Sequence, residues 1–446
     1  MDCARAATWA PVRERSGGQL AELLIAAGSI VTAAPPAQGP TSQGPESQGP
    51  ISQGPESLSP GYVIIEDGRI TAVGEGDPPR TPDERLDQGV LVPGFVDLQV
   101  NGYYGVEFDA AQEPEWRMVA ERLLETGTTA FLPTFITAPL PRLNDSLKTA
   151  AALMPALAQA KHNDGNDGND NDESAPHARV LGVHVEGPFI NPVRGGAHNP
   201  DWMTDPTPEA VSGLLDAAQG HLKIITLAPE RPHALDAIRA FTHENVLASV
   251  GHSDALAHQV AEAAGAGARM VTHLFNGQRP LHHREPGVVG QALADHRLTS
   301  GLVADFSHVA GPVTAIAFAA APHRIALVTD AAACAGMPPG QYMLGGQPIE
   351  LPAGDGVPPV RPDGTLAGSA LRMDVAVSNM VSMGVSLPTA VAAATRIPAD
   401  LIGRTDLGRI APGARADLTW LGEGLRAQAT WVAGRRAHNT PEGARP

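Results

Sequence analysis

The central part of the sequence alternates eight short apolar runs with segments of helical pattern. The apolar runs cover 94–100, 130–136, 179–185, 223–227, 246–250, 269–274, 298–304 and 325–329. Segments of helical pattern, such as 114–126, 208–219, 255–264 and 310–321, separate most of them. Eight strand–helix units in succession are the pattern of a closed parallel barrel with its helices outside. The sequence therefore predicts an α/β protein with a (β/α)8 TIM barrel.

Nearly every one of these apolar runs ends on polar side chains. Those side chains are Gln99, Asn101, Thr134, Glu186, Glu230, His252, His273, Asp305, His308 and Asp330. In barrels of this kind the active site lies at the carboxyl ends of the strands. The sequence therefore predicts a functional site at that face of the barrel.

Strand-like runs also occur near both ends of the chain. They cover 23–32, 61–66, 69–74, 417–421 and 429–433, and Asp67-Gly68 between two of them is a strong hairpin signal. We therefore expect a small β-sandwich domain built from both chain termini. The predicted organisation is a flexible extension at 1–19, the first part of the sandwich at 20–92, the catalytic barrel at 93–400, the second part of the sandwich at 401–438, and a flexible tail at 439–446.

Two polar inserts interrupt this organisation. Residues 36–60 contain a Gln-Gly-Pro pentapeptide repeat, and 162–174 are almost entirely Asn, Asp and Gly. Neither segment has the apolar side chains that a packed core needs, so both are predicted to be disordered linkers. We expect both to be dispensable for chemistry.

Charge narrows the classes of partner. The 31 Lys and Arg residues are outnumbered by 48 Asp and Glu residues, which gives a net charge of −17. Such an excess of negative charge argues against a nucleic acid or an anionic membrane surface as partner. No apolar run reaches the ~18 residues of a membrane span. With this net charge, any anionic substrate must be held by a local basic cluster.

The first forty residues allow two interpretations. Two arginines at positions 13 and 15 precede an apolar stretch at 20–31, as in a secretion signal, but Glu22 interrupts that stretch. A strand over 23–32 is the favoured alternative. The only two cysteines, Cys3 and Cys334, cannot form a disulfide framework. We therefore expect a cytoplasmic protein.

Three of the strand-end residues form a set suited to a catalytic metal. Glu186, His252 and His273 follow the third, fifth and sixth apolar runs, in the segments HVEGPF, VGHSDA and THLFNG. Two imidazoles and a carboxylate leave a coordination position open for water. A bound divalent ion lowers the pKa of water from ~15.7 towards ~7 and polarises a carbonyl group. Each residue alone reads equally well as an ordinary polar residue near a loop, but three in tight Gly- or Pro-containing turns favour a metal site.

Two further residues suggest roles beside the metal. Asp330 ends the eighth run in LVTDA and is a candidate general base and then general acid. Its alternative role is to cap the next helix. Arg284 in HHREPG, together with His308, is a candidate for binding phosphate, because its planar guanidinium matches phosphate oxygens. The alternative for Arg284 is a solvated surface side chain.

Several longer segments resemble one known family. They are PGFVDLQVNG, HVEGPFINPVRGGAHNP, VGHSDA, THLFNGQRPLHHREPG, VADFSHV, LVTDA and GTLAGS. In this order and at these strand ends they resemble the N-acetylglucosamine-6-phosphate deacetylases of the amidohydrolase superfamily. The resemblance runs from about Leu23 to Ala433, apart from the two inserts. It implies a metal-dependent (β/α)8 barrel with a β-sandwich built from both termini, usually as a homodimer.

The resemblance also implies roles for individual residues. By it, Glu186, His252 and His273 match the metal ligands, and Asp330 matches the catalytic acid and base. The positions that match substrate-binding residues are Ala197, His198, Asn276, Gly277, Arg284, His308, Leu366, Ala367 and Gly368. In the family the arginine reaches the phosphate from the partner subunit, which implies the same for Arg284.

The sequence departs from its relatives at several of these positions. Gln99-Val100-Asn101 stands where many amidohydrolases have His-x-His for a second metal, and Lys223 begins rather than ends its strand, so no bridging lysine is available. Both features resemble the single-metal branch. Gly277-Gln278 replaces the usual Ala-Met, and Phe306-Ser307-His308 replaces Gly-x-His. The last two changes leave the configuration of the hexosamine open.

The resulting hypothesis is a deacetylase of N-acetylglucosamine 6-phosphate with one divalent metal ion per chain. Zinc is favoured, and iron and cobalt remain alternatives because His and carboxylate ligands suit all three. The alternative functions are hydrolysis of another N-acyl compound, such as N-acetylgalactosamine 6-phosphate, and a non-catalytic barrel that serves as a binding scaffold. The sequence leaves open whether a second metal binds weakly and what Cys334 does.

Overall fold

Eight parallel strands follow one another in chain order around a central barrel. The computed structural model describes residues 22–33, 57–158, 175–354 and 356–439. The barrel strands, which we number one to eight, are Phe95–Val100, Thr128–Ile136, Arg179–Val180 with Val183–Glu186, Leu222–Leu227, Leu247–Val250, Met270–Val271, Thr299–Leu302 and Ile325–Leu327. Each pairs in parallel with its neighbour. The predicted TIM barrel is confirmed.

The barrel strands are buried on both faces, which explains their nearly continuous apolar sequences. Every residue of Phe95–Val100 is buried, for example, because the helices cover one face and the barrel interior the other. Strand three is divided at Gly182, whose φ of +134° suits glycine and whose missing Cβ would lie 2.4 Å from Lys223 Cγ. Strand six is shorter than the predicted run 269–274, because the backbone turns into the site from residue 272 onward.

The barrel closes between its last and first strands through the residues that follow them. The Asp330 N–H donates to Gln99 O at 2.9 Å, and the Asn101 N–H donates to Ala331 O at 2.8 Å. These bonds continue the parallel pattern beyond the end of Ile325–Leu327. Closure therefore places the side chains of Gln99 and Asn101 directly beside Asp330.

Helices surround the barrel and pack their apolar faces on it. The α-helices are Glu113–Leu123, Leu140–Ala158, Pro208–Ala218, Ala234–His243, Ala257–Ala266, Gly287–Ala294, Gly311–Ala320, Met373–Ser382, Leu387–Ala394 and Arg396–Leu401. In Pro208–Ala218, for example, Val211 and Leu214 are buried, and the Thr207 side chain caps the first turn. Within the described ranges, no helix is both long and apolar enough to cross a membrane.

A β-sandwich unites the two ends of the chain. One sheet has the order Arg69–Glu75, Gly61–Glu66, Leu23–Ala27, Glu84–Leu86, and the other has the order Arg435–Asn439, Ala427–Val432, Leu418–Leu421, Val90–Pro93, Ile30–Val31, Ser57–Leu58. Residues of both sheets, such as Ile25, Val63 and Trp431, share one apolar cluster. The predicted hairpin at Asp67-Gly68 is confirmed, with φ values of +48° and +72°.

The termini differ from the predictions in detail. The predicted strand over 23–32 is two strands, because the chain passes at Gly28 from one sheet to the other. The segment 36–60 was predicted to be disordered, but Ser57–Leu58 pairs with Ile30–Val31. That prediction is therefore wrong for its last residues, as is the flexible tail for Asn439, which ends a strand. Residues 36–56 and 440–446, the extension at 1–19 and the insert at 162–174 lie outside the described residues.

Candidate active site

A cavity opens at the carboxyl ends of the barrel strands, where the sequence predicts the functional site. Its walls come from strand ends and from the loops that follow them. The lining residues are Asn101, Ile136, Glu186, Gly196, Ala197, His198, His252, His273, Asn276, Gly277, His308, Asp330, Leu344, Thr365, Leu366 and Gly368. All predicted site residues except Arg284 and Ala367 are among them.

The two exceptions have different surroundings. Ala367 is fully buried behind the cavity wall, in an apolar cluster with Cys334 and Leu344. Its side chain therefore does not line the cavity, and its role in substrate binding stays a prediction of the resemblance. Arg284 is exposed on a loop outside the cavity. Within its own subunit it does not line the site.

The three predicted metal ligands lie in contact with one another. Glu186 Oε1 lies 2.9 Å from His273 Nε2 and 3.2 Å from His252 Nε2, and the two Nε2 atoms are 3.0 Å apart. All three side chains are at least nine-tenths buried. Around a tetrahedral zinc ion with Zn–N bonds of 2.0–2.1 Å, neighbouring ligand atoms are about 3.3 Å apart. The three atoms are therefore spaced much like three corners of such a site.

Hydrogen bonds to the outer edges of the imidazoles decide which nitrogen is protonated. His252 Nδ1 lies 2.8 Å from Arg194 O, and His273 Nδ1 lies 3.1 Å from Asn276 O. A carbonyl oxygen only accepts, so both Nδ1 atoms carry hydrogen, and in the neutral rings each Nε2 atom holds a lone pair that a metal ion can accept. Three electron-rich atoms in contact repel one another unless a proton or a metal cation lies among them. The donor set therefore fits a divalent metal ion.

The electrostatics of the cluster support the same conclusion. Burial alone would lower the pKa of His273, but the hydrogen bond and charge of Glu186 outweigh burial and raise that pKa to about 9. Burial opposes ionisation of Glu186 as well, yet its hydrogen bonds with His252 and His273 hold its pKa well below the usual value. The site therefore favours positive charge beside an ionised carboxylate, which is the condition for binding a cation.

His198 is a fourth potential ligand that the sequence analysis placed among the substrate-binding residues. Its Nε2 lies 3.9 Å from Glu186 Oε2, and its ring centroid is 4.4 Å from that of His252. Glu186, His198 and His252 form a group whose ligand atoms lie within 4.8 Å of one another. The contacts of His273 are shorter, so Glu186, His252 and His273 remain the tightest set. Burial lowers the pKa of His198 to about 3, so its ring is neutral.

The three candidate metal ligands and Asp330 lie at or just after the ends of their strands, and three of these four residues have an unusual backbone conformation. His252, His273 and Asp330 have φ values of +46°, +26° and +53°. Residues other than glycine rarely have a positive φ, and such a conformation persists only where the surrounding structure holds it. The turn directs each side chain into the cavity. Precise placement of these residues therefore depends on neighbours that hold the turns.

Gly277 is one such neighbour, in the THLFNG segment. It has a φ of +59°, and a Cβ added to it would lie 2.8 Å from His252 Nδ1 and 3.0 Å from Cε1. Glycine therefore permits the THLFNG loop to approach the ring of a metal ligand. The next residue, Gln278, closes the same turn by donating to Thr272 O at 2.8 Å.

Gly277→Ala is expected to displace the His252 ring and to weaken metal binding by about tenfold, because changes next to metal ligands typically cost 10–100-fold in affinity. Competition with a chromophoric zinc chelator measures the change. Gly220→Ala is the matched control, since Gly220 also has a positive φ of +82° but open space around it. Equal zinc affinity in the wild type and in Gly277→Ala would contradict the expectation.

Asp330 faces the cavity from a buried position between two amides. Gln99 Nε2 and Asn101 Nδ2 both donate to its Oδ1, at 3.0 and 2.6 Å. Burial and the nearby charge of Glu186 raise the pKa of Asp330. Two donors thus fix the Oδ1 atom of Asp330, and the Oδ2 atom remains available to accept a proton. The sequence predicts Gln99 and Asn101 as polar strand-end residues near the site, but it does not indicate that they hold Asp330.

His308 also lines the cavity, and the carboxylate of Asp305 orients its ring. His308 Nδ1 lies 2.7 Å from Asp305 Oδ2. Burial alone would raise the pKa of Asp305, but the hydrogen bond and charge of His308 outweigh burial and lower it. The Asp305–His308 pair therefore presents the Nε2 edge of the imidazole in a defined orientation.

The cavity also has walls that the sequence analysis did not identify. Thr365 belongs to the GTLAGS segment, which could have signalled it. Leu344 comes from a hairpin, Gly340–Leu344 with Gln347–Leu351, that folds over the site, and nothing in its residue types indicates this. Ile136 ends barrel strand two. These side chains give the polar site an apolar border.

Comparison with known proteins places the chain in a family. The sequence model of the amidohydrolase family matches residues 90–437. N-acetylglucosamine-6-phosphate deacetylase of Bacillus subtilis (strain 168) is 35% identical over 324 residues, 72% of this chain and 78% of the relative. N-acetylgalactosamine-6-phosphate deacetylase of Escherichia coli O157:H7 is 37% identical over 358 residues, 79% of this chain and 88% of the relative.

A solved structure extends the similarity to three dimensions. It is a mutant of N-acetyl-D-glucosamine-6-phosphate deacetylase from Mycobacterium smegmatis in complex with N-acetyl-D-glucosamine-6-phosphate. The TM-score is 0.81 at 32% identity, and the match covers 93% of this chain and 99% of the other. With the family match over most of the sequence, these similarities show that the chain belongs to the amidohydrolase family.

Proposed function

We propose that the protein is a metal-dependent deacetylase that hydrolyses N-acetylglucosamine 6-phosphate to glucosamine 6-phosphate and acetate in amino-sugar catabolism. The observation that carries the proposal is the convergence of Glu186, His252 and His273 in one cavity with Asp330. Relatives named for this activity cover most of the chain. An intact set of ligands and a buried carboxylate argues against a non-catalytic scaffold.

Amide hydrolysis needs a bound metal ion and a group that transfers a proton, and different residues of the chain supply them. Glu186, His252 and His273 would hold the ion, which when bound acidifies water and polarises the acetamide carbonyl group. Zinc is favoured, and iron and cobalt suit the same ligands. Asp330 accepts the proton of the attacking water and passes it to the amine as the C–N bond breaks. The raised pKa of Asp330 suits a group that must both take and return a proton.

Recognition of the phosphate requires a group from outside the cavity wall. Among the described residues that line the cavity, none is Lys or Arg. Nearby Arg194 and Arg279 share the carboxylate of Asp254, so both guanidinium groups are already engaged in ion pairs. Arg284 is exposed at the tip of its loop, beside Leu281, which is 53% exposed. In the proposed homodimer this loop reaches the cavity of the partner subunit and supplies the missing charge.

The activity is tested by acetate release from N-acetylglucosamine 6-phosphate with zinc-loaded protein. Rapid release from this substrate and slow release from the unphosphorylated sugar are expected. N-acetylgalactosamine 6-phosphate is the second substrate to assay, because a relative named for that activity is 37% identical. A higher kcat/KM for it would reassign the sugar, and no release from either phosphate would contradict the proposed function. We also propose a cytoplasmic location, because the two cysteines of the sequence, Cys3 and Cys334, cannot form a disulfide framework.

Arg284→Ala is expected to lower kcat/KM for the 6-phosphate about 10–100-fold, since hydrogen bonds to charged groups contribute about 1.5–3 kcal/mol and 1.4 kcal/mol is tenfold. Activity on the unphosphorylated sugar should barely change. The matched control is Arg239→Ala, an exposed arginine on helix Ala234–His243.

Mixed dimers test whether Arg284 acts across the interface. Combining Asp330→Asn chains with Arg284→Ala chains should restore part of the activity, because one of the two sites in each mixed dimer then has both groups. Equal losses on the phosphorylated and unphosphorylated sugars would refute the phosphate role. Absence of complementation in proven mixed dimers would confine Arg284 to its own subunit.

A further inference from the structure

Four side chains are hydrogen-bonded in a row inside the barrel, beneath the metal ligands. Ser249 Oγ lies 2.6 Å from Thr272 Oγ1, which lies 2.7 Å from Thr226 Oγ1. Thr226 Oγ1 lies 2.8 Å from His184 Nε2, and His184 Nδ1 lies 3.1 Å from Leu98 O. All four side chains are fully buried. We call Ser249, Thr272, Thr226 and His184 the interior row.

The donor and the acceptor of every hydrogen bond in the interior row can be assigned by starting from the bond between His184 and Leu98 O. Leu98 O only accepts, so His184 Nδ1 carries hydrogen. A fully buried imidazole without a carboxylate partner is neutral, so its Nε2 accepts from the Thr226 hydroxyl. Thr226 then accepts from Thr272, and Thr272 accepts from Ser249. Such a row has one arrangement in which each bond polarises the next, and bonds in such rows strengthen one another.

The interior row is matched to the metal site strand by strand. Each of the three strands that carry a ligand contributes one member. The matched pairs are His184 with Glu186 on strand three, Ser249 with His252 on strand five, and Thr272 with His273 on strand six. His184 and Glu186 are two residues apart, so both point to the same face of their strand. Thr226 of strand four joins strand three to strand six.

Strand six has few main-chain pairs with strand five, and Thr272, which follows strand six, makes two of the side-chain hydrogen bonds of the interior row. Strand six consists of Met270–Val271 and pairs with strand five at only two positions. His273, directly after Thr272, has the strained φ of +26°. The Thr272 hydroxyl bonds to Ser249 of strand five and to Thr226 of strand four, and the Thr272 carbonyl accepts from Gln278. Side chains thus supply the connections that the short ladder lacks.

We propose that His184, Thr226, Thr272 and Ser249 are positioning residues that hold the three ligand-bearing strands in the register at which Glu186, His252 and His273 converge. The inference rests on the proposed metal site and concerns affinity for the ion. A metal site tolerates ligand shifts of only about 0.2 Å. Hydrogen-bond partners of metal ligands typically account for 10–100-fold in affinity, and the interior row, which bonds to no ligand directly, is expected to act at the lower end of that range.

Thr272→Val and Thr226→Val keep the side-chain shape and remove the hydroxyl. Each is expected to weaken zinc binding about tenfold, measured without substrate by competition with a chromophoric chelator. Thr272→Ser keeps the hydroxyl and should restore the affinity. The matched control is Thr419→Val, which removes an equally buried hydroxyl that donates to Gly127 O at 2.9 Å in the sandwich. It should lower Tm comparably and leave zinc affinity unchanged.

A second readout follows the interior row directly. In ¹⁵N-histidine spectra of zinc-free protein, His184 should be the Nδ1–H tautomer, and Thr226→Val should shift its Nε2 signal. If a valine variant does not fold, Ser249→Ala takes its place, because it removes only the hydroxyl that donates at the end of the interior row. Zinc affinity within twofold of wild type in both valine variants, with Tm lowered as in Thr419→Val, would reduce the row to a structural role and overturn the proposal. Wild-type protein that binds no zinc would instead contradict the metal site itself.

Discussion

Asp330→Asn is expected to lower kcat by about 10²–10⁴-fold, the usual contribution of a general acid–base group. The substituted amide has the same shape, and its oxygen still accepts from Gln99 Nε2 and Asn101 Nδ2 in place of Asp330 Oδ1. Position and packing are thus retained, whereas the ability to take a proton from water and return it to the amine is lost. Steady-state kinetics, zinc content and the KM for the 6-phosphate measure the three properties separately.

The matched comparison for Asp330→Asn is Asp305→Asn. Asp305 is a second carboxylate near the cavity, but it contacts His308 rather than the metal cluster. Its loss should affect substrate binding more than turnover, since it orients an imidazole and does not face the reacting bond. If Asp330→Asn retains more than about a tenth of the activity, the base lies elsewhere. Asp305 and His308 are then the next residues to test.

Removing a single imidazole from the cluster is expected to remove the ion. Wild-type protein should contain about one equivalent of divalent metal, because a structural or catalytic zinc site needs at least three protein ligands. His273→Ala or His252→Ala leaves two, and elemental analysis should find the ion absent and the activity lost. The short contacts of Glu186 Oε1 with both Nε2 atoms, at 2.9 and 3.2 Å, support this assignment of ligands.

His198→Ala is the control that separates the two possible ligand sets. His198 also lies near Glu186, but its Nε2 is 3.9 Å from Glu186 Oε2. We expect this variant to keep the ion and to lose turnover. Loss of the ion from His198→Ala with retention in His273→Ala would exchange their roles. Two equivalents at full occupancy in the wild type would contradict the single-ion site, for which Gln99 stands where a second site needs histidine.

Much of the fold is predictable from the sequence because each strand and helix has its own local pattern of apolar and polar residues. Buried parallel strands are continuous apolar runs and their helices are periodic, so each element can be recognised from its own residues. The strand ends then place Glu186, His252, His273 and Asp330 at one face of the barrel. The family resemblance adds their roles. The two-sheet sandwich follows from runs at both termini, although the break at Gly28 between its sheets does not.

What the sequence by itself determined is therefore the barrel, the sandwich and the identity of the chemical residues at the strand ends. Only the tertiary structure decided which side chains meet across strands. It placed Ala367 behind the cavity wall, Gly277 against the ring of His252, and two amides on Asp330. Such contacts depend on strand register and barrel closure, which join residues far apart in sequence, as Gln99 and Asp330 are. Hydrophobic patterns specify which face of an element is buried, but they do not specify its partner across the barrel.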